Sequence, residues 1–246
     1  MTGQMNKIAR MSDLQRALDY PYDAPADAYL IQNGHCLALP QTYDFTGRTP
    51  VLSVGSNRAP VQLNRKFGDR AELAVTPVTV HDCDVVHVAN LAPYGAVPCS
   101  AFPCPGTSVD LNISWLTPAQ LQIMHQTESL GVAYDWVEWD LSVIEHRFPA
   151  PLDRLFGYAA LTGAMSVAGK GPFGLARIPA KNRQFALKSQ HQMQEMIYHR
   201  FCDDGDCLED WIRKLQTDEM LRADVSAAIQ QDGLDPDDPP WQTAIV

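Results

Sequence analysis

Apolar and polar positions alternate most cleanly over residues 109–115, where Val109, Leu111, Ile113 and Trp115 take one side and Asp110, Asn112 and Ser114 the other. A period of two is that of a half-buried β-strand. Shorter apolar runs rich in β-branched residues predict strands from Val51, over 73–80 and over 84–91, the last two separated by His81-Asp82. Tyr29 to Leu39 reads as strand–turn–strand about Asn33-Gly34, and strand character returns from Val132 to Val143. Between these, the spacing turns helical at Thr117-Pro118, with Thr as N-cap and Pro in the first turn. Leu121, Met124, His125 and Glu128 then fall at i, i+3, i+4 and i+7, on one face.

After Pro149-Ala150-Pro151 the pattern changes. Residues 155–169 are small and apolar and predict one helix, broken near Gly163 and Gly169; 171–183 look irregular. Ser189 opens a further helix with Gln192 in the capping-box position and Met193, Met196 and Ile197 inside. Two more helices follow, on Leu208, Trp211, Ile212 and Leu215 and on Leu221, Val225, Ala228 and Ile229. Gly233 to Pro240 is acidic and proline-bearing, and mobility is the expectation there. At the front, Leu14, Ala17 and Leu18 suggest a short helix ended by Pro21 and Pro25. The predicted class is α+β, divided into an N-terminal appendage (1–28), a strand-rich domain (29–150) and a helical extension with an acidic tail (151–246).

Composition narrows the function classes. The chain has 246 residues, 46% of them hydrophobic, enough for a real core. A formal net charge of -10 argues against nucleic acid or an anionic membrane as a bulk partner. No apolar run approaches the length of a membrane span, and Met1 to Ser12 holds Lys7 and Arg10 with no apolar run after them. A cytoplasmic location is the expectation. Oligomeric state leaves no mark in the pattern. The six cysteines are spread along the chain, so reduced thiols are expected. His199, Cys202 and Cys207 flank Asp203-Asp204-Gly205-Asp206 but lack a second ligand pair, and no metal site is assigned. Gly163 to Gly171 fails as a P-loop, because Gly171 stands where Ser or Thr must bind magnesium.

Two stretches carry candidate chemistry. Val51 to Phe67 reads as a strand, a turn at Gly55-Ser56-Asn57 and a helix opened by Pro60. Such a unit gathers backbone N–H groups at one anion-attracting spot, with Arg58, Arg65 and Lys66 adding positive charge. An ordinary strand–turn–helix connection has the same pattern. The second stretch is the helix that carries Glu128 inward beside Leu121 and Met124. Desolvation there raises a carboxyl pKa and improves it as a proton acceptor. The alternative is a helix-end Glu that reaches water or pairs with an Arg.

Together the stretches resemble the γ-glutamylcyclotransferase-like family, over roughly Val51 to Val143. That family's loop motif, Tyr-Gly-Ser-Asn-Leu, matches Val54, Gly55, Ser56, Asn57 and Arg58, with Val and Arg departing from Tyr and Leu. Its catalytic Glu, at the end of a helix after an alternating strand, matches Glu128, and its frequent later Tyr matches Tyr134. The resemblance implies a small mixed β-barrel with flanking helices, the 109–115 strand lying in a closed or nearly closed sheet and residues 155–230 packed outside as helices. It implies a small-molecule substrate bearing a carboxylate, held by the N–H groups of Gly55, Ser56 and Asn57, with Val54, Arg58 and Tyr134 also in the binding site. Glu128 would be the general acid/base in ring closure to 5-oxoproline, with no metal or organic cofactor. Ser56 is not read as a nucleophile, since no His is placed to activate it. The competing reading is a non-catalytic module that binds a small anion or a protein partner.

Overall fold

Residues Glu72–His87 and Cys99–Leu116 form the longest strands and pair antiparallel from Ala74↔Trp115 to His87↔Cys99. The computed structural model describes residues 6–202 and 205–245. In chain order the strands are β1 (Asn6–Lys7), β2 (Tyr29–Gln32), β3 (His35–Ala38), β4 (Thr49–Ser53), β5 (Glu72–His87), β6 (Cys99–Leu116) and β7 (Tyr134–Trp139). Then come β8 (Ile144–His146), β9 (Phe156–Ala160), β10 (Phe173–Leu175), β11 (Ala180–Lys181), β12 (Ala186–Lys188) and β13 (Trp241–Thr243). The helices are α1 (Asp13–Leu18), α2 (Pro60–Phe67), α3 (Pro118–Thr127), α4 (Gln190–Phe201), α5 (Leu208–Thr217) and α6 (Glu219–Gln230). None of them is long and apolar enough to cross a membrane.

The runs expected as two strands over 73–91 are one strand, β5. Its register with β6 shifts between His81 and Cys83, where Asp82 takes φ 55° and its carboxylate accepts from Gly106 N–H. The His81-Asp82 break is therefore an irregularity inside a strand and not a turn between two.

The sheet is mixed, and the expectation of a barrel is wrong. Its strands run in the order β1-β3-β2-β5-β6-β4-β9-β7-β13, with β8 and β10 added to β5, β11 to β6 and β12 to β10. Among the described residues nothing joins β1 to β13, so the sheet stays open. Period-two alternation reports only that a strand has two unlike faces. Closure depends on which strands meet at the ends, which alternation does not encode.

The faces of β6 explain its pattern. Leu111, Ile113 and Trp115 pack with Val78, Val80 and Leu155 in one cluster. The opposite face carries Leu73, Val75 and Leu116, covered by Leu63 of α2 and Met124 of α3. Asn112 and Ser114, polar in the alternation, are buried there, and each has a partner. Asn112 accepts from Arg58 Nε at 3.0 Å, and Ser114 shares a hydrogen bond with Ser53 at 2.8 Å.

A helix over 155–169 is not found. Phe156–Ala160 is β9, parallel to β4 and antiparallel to β7. Gly157 passes so near Trp139 that an added Cβ would lie 2.6 Å from the indole nitrogen. Strand partners distant in sequence override the helical look of this small apolar stretch. Residues 173–188 add three more short strands, so the helical extension begins only at α4. Ser189 and Gln192 do form the capping box there. α4, α5 and α6 bury Met193, Ile197, Trp211, Ile212 and Ile229 in a third cluster, which Ala17 of α1 joins. The tail also differs from expectation: Leu234 bridges Ala164, and β13 pairs with β7, bringing the rings of Trp241 and Trp139 to 4.7 Å.

Candidate functional site

α3 begins with a complete capping box, Thr117 to Gln120, and Glu128 is its C-cap. The stripe that buries Met124 carries the Glu128 side chain inward, to 14% exposure. On α2, Leu63, Lys66 and Phe67 share a stripe by their i, i+3, i+4 spacing. Lys66 is thereby pushed into the same region, its side chain only 2% exposed.

There Lys66 Nζ makes an ion pair with Glu128 Oε1 and lies 3.3 Å from Met124 Sδ. Asn57 Nδ2 donates to the same carboxylate oxygen at 3.1 Å. Burial pushes the Lys66 ammonium below its usual value, and the Glu128 carboxylate opposes that shift. The sequence allowed an Arg partner for Glu128; the partner is a Lys, on the helix that follows the Gly55-Ser56-Asn57 turn. Asn57 Oδ1 is buried with no protein partner.

Ser56, Lys66, Glu128 and Tyr134 line one cleft of about 700 Å³. Its other walls include Tyr20, from just after α1, and Tyr94, from the loop between β5 and β6. Tyr134 donates to Cys99 O at 3.4 Å. Burial raises the phenols of Tyr20, Tyr94 and Tyr134 well above their usual value, so at neutral pH all three are hydrogen-bond donors. Cys99, next to Tyr20, is pushed up to about 12 by burial and is an inert thiol at pH 7. No His lines the cleft among the described residues. A hydroxyl or thiol nucleophile therefore has no imidazole base here, and the group suited to proton transfer is a carboxylate.

The turn itself is a short 3-10 helix, Ser56–Arg58, whose first N–H groups have no acceptor within it. Gly55 is required by close approach: an added Cβ would lie 2.5 Å from Tyr20 Oη and 2.6 Å from Cys99 Sγ. The space beside Gly55 thus belongs to two side chains of the fold.

Of the residues placed in the binding site by resemblance, Val54, Gly55, Asn57 and Arg58 do not line the cleft; Gly55 lies behind Tyr20 and Cys99, and Asn57 reaches it only through Glu128. Val54 is 8% exposed and packs in the cluster of Leu52 and Ile113. Arg58 turns toward β6, where its Nε meets Asn112 while its carbonyl accepts from Tyr29 Oη at 2.7 Å. An apolar residue ending a buried strand follows the core, and an Arg beside a buried Asn follows its acceptor. Conversely, the sequence singled out neither Tyr20 nor Tyr94. Lys66 had a usable signal, since a Lys on the stripe of Leu63 and Phe67 must find a buried partner.

Compared with family models, curated proteins and solved structures, the chain matches none of them.

Proposed function

We propose that the cleft is the active site of a γ-glutamylcyclotransferase-like enzyme, converting a γ-glutamyl compound to 5-oxoproline and a free amine or amino acid. One observation carries this reading. The two short motifs behind the resemblance, 71 positions apart, meet in a hydrogen bond from Asn57 to Glu128, with Ser56 and Glu128 in one open cleft. In this reading Glu128 accepts a proton from the substrate's α-ammonium. The freed nitrogen attacks the γ-carbonyl carbon, a C–N bond forms within the new ring, and the original amide C–N bond breaks. The proton held by Glu128 goes to the departing nitrogen, which returns the carboxylate. The second proton that the ring nitrogen loses in becoming an amide N–H is taken up by the released amine, which leaves as an ammonium. Ring closure needs mainly positioning, which a rigid turn and helix end can supply. Tyr20 brings a phenol to the turn at which Val54 replaces the motif's Tyr, and there it donates to Cys99 Sγ and accepts from Cys99 N–H, which fixes the turn rather than the substrate.

The ion pair with Lys66 favours a second reading, in which the cleft only binds a small anion or a partner. A carboxylate already paired must give up part of that pairing to receive a substrate ammonium. The two readings separate on incubation with a panel of γ-glutamyl dipeptides and γ-glutamyl amines, scored for 5-oxoproline. We expect turnover on some of the panel, and a loss of about two to four orders of magnitude in Glu128→Gln with little change in substrate affinity. Equal turnover in the two proteins removes Glu128 from the chemistry. No turnover in either leaves the binding reading.

A further inference from the structure

The cleft adjoins a smaller one of about 310 Å³, and Arg16, Gln62 and Arg65 line both. The proposed reaction uses neither guanidinium, and the fold uses only part of each. Arg16, on α1, has a side chain 11% exposed, with its Cζ 3.9 Å from the centroid of the Tyr94 ring. Its Nη1 meets Asp13 at 2.5 Å, a carboxylate that is itself 67% exposed. Arg65 spends only its Nε, on Gln62 at 3.2 Å. The Tyr22 phenol also shares a side-chain hydrogen bond with the Arg16 guanidinium, while Arg16 Nε is buried without a partner and, among the described residues, both terminal nitrogens of Arg65 have no protein acceptor. The two charges are close enough that Arg16, after burial, pushes the Arg65 guanidinium down. Two like charges held together at the wall of a cleft, in a chain of net charge -10, are costly unless something shares them.

We infer that Arg16 and Arg65 form an anion subsite, which takes the carboxylate of a small-molecule ligand at the wall common to the two clefts. Paired guanidinium groups with open terminal nitrogens match a planar carboxylate. The charge count favours a monoanion. Across the two clefts Arg10, Arg16, Arg65 and Lys66 face Asp13, Asp69 and Glu128, which leaves one positive charge uncompensated. A dianionic phosphate would exceed it. The subsite therefore discriminates between a ligand ending in a carboxylate and its neutral amide. It goes beyond the cyclotransferase reading and stands without it, because binding is measured with no reaction.

The test uses N-acetylglycine and its uncharged counterpart N-acetylglycinamide on the full chain, followed through the 15Nε–H signals of the arginines. N-acetylglycine should shift the Arg16 and Arg65 signals saturably, and the amide should bind at least tenfold more weakly. Arg65→Gln should lower N-acetylglycine affinity at least tenfold, and Arg65→Lys should lose less. Arg65 is solvent-exposed as a residue, with only part of its guanidinium desolvated and one side-chain bond to lose, so both variants should keep the fold. The inference is overturned if the two probes bind alike, if Arg65→Gln stays within twofold of the parent, or if no signal saturates at millimolar probe. Tighter binding of inorganic phosphate than of N-acetylglycine overturns the carboxylate class. 5-Oxoproline formation is scored separately, so a protein that binds N-acetylglycine and cyclises nothing keeps the subsite and loses the reaction.

Discussion

Replacing Lys66 by Met tests the ion pair at the centre of the cleft. Met keeps most of the unbranched stem that packs between α2 and α3 and removes only the ammonium. Glu128, 14% exposed, is then left with Asn57 as its one donor among the described residues. Two unit charges about 4 Å apart attract by roughly 4 kcal/mol at an effective dielectric near 20. Deleting one partner of a buried pair costs about 3–5 kcal/mol, because the survivor stays desolvated. The remaining Asn57 bond and the partial exposure of Glu128 place this case at the low end, about 3 kcal/mol. That is a large fraction of the roughly 5–15 kcal/mol typical of a domain. Glu128→Gln alone leaves a buried Lys66 and should also destabilise, whereas the double variant has no unpaired charge and should recover about 2 kcal/mol of the summed loss. Urea unfolding of the four proteins at pH 7 measures the cycle, provided the denaturant slopes agree. If Lys66→Met costs less than about 1 kcal/mol and the coupling is near zero, the carboxylate and ammonium are not energetically paired and this account of the site fails.

Three further outcomes follow from individual contacts. Gly55→Ala should destabilise by about 1–3 kcal/mol in urea, since its Cβ has no room beside Tyr20 and Cys99, and Tyr20→Phe in the same protein should recover part of the loss. Burial lowers the pKa of His87 to about 4 from 6.5, with Nε2 donating to Lys188 O and Nδ1 unpaired. Between those values only the unfolded chain takes the proton, so stability should fall as the pH drops from 6.5 to 4, by about 3 kcal/mol for this group; a His87→Gln protein with the same acid profile as the parent would refute the assignment. Trp241→Ala should cost about 1–2 kcal/mol and raise the fluorescence accessibility of Trp139 to acrylamide, because the β13 ring covers it; an unchanged quenching curve would mean that the tail does not pack there.

Legibility in the sequence tracked whether a feature is local. The N-cap at Thr117 and the capping box at Ser189 are local, and both were readable, while the Gln120 half of the Thr117 box was not read. So was the inward turn of Glu128, which depends only on its spacing from Leu121 and Met124. β9 was not readable, because nothing within 155–160 says that β4 and β7 wait on either side. The open sheet was invisible for the same reason. Tyr20 and Arg16 reach the cleft from a segment that looked separate, yet Ala17 and Tyr20 are buried by α5 and β6 partners far along the chain.

The two departures from the motif that the turn resembles, Val54 and Arg58, acquire a physical meaning from these long-range contacts. Val54 and Arg58 looked like changes to substrate binding, but both side chains point away from the cleft, toward the core and toward Asn112. Among the described residues of the first 28, those that face the cleft are Asp13, Arg16 and Tyr20, a carboxylate, a guanidinium and a phenol. They stand beside Gln62, Arg65 and Lys66 of α2, the helix that continues directly from the turn. A cleft floor built from a turn and a helix end can be similar in chains with different rims, since the floor is set by backbone geometry and the rim by side chains. On the proposed binding reading, affinity for N-acetylglycine should accordingly respond more to substitution at Arg16 and Arg65 than at Val54 or Arg58, as titration of the four variants would measure.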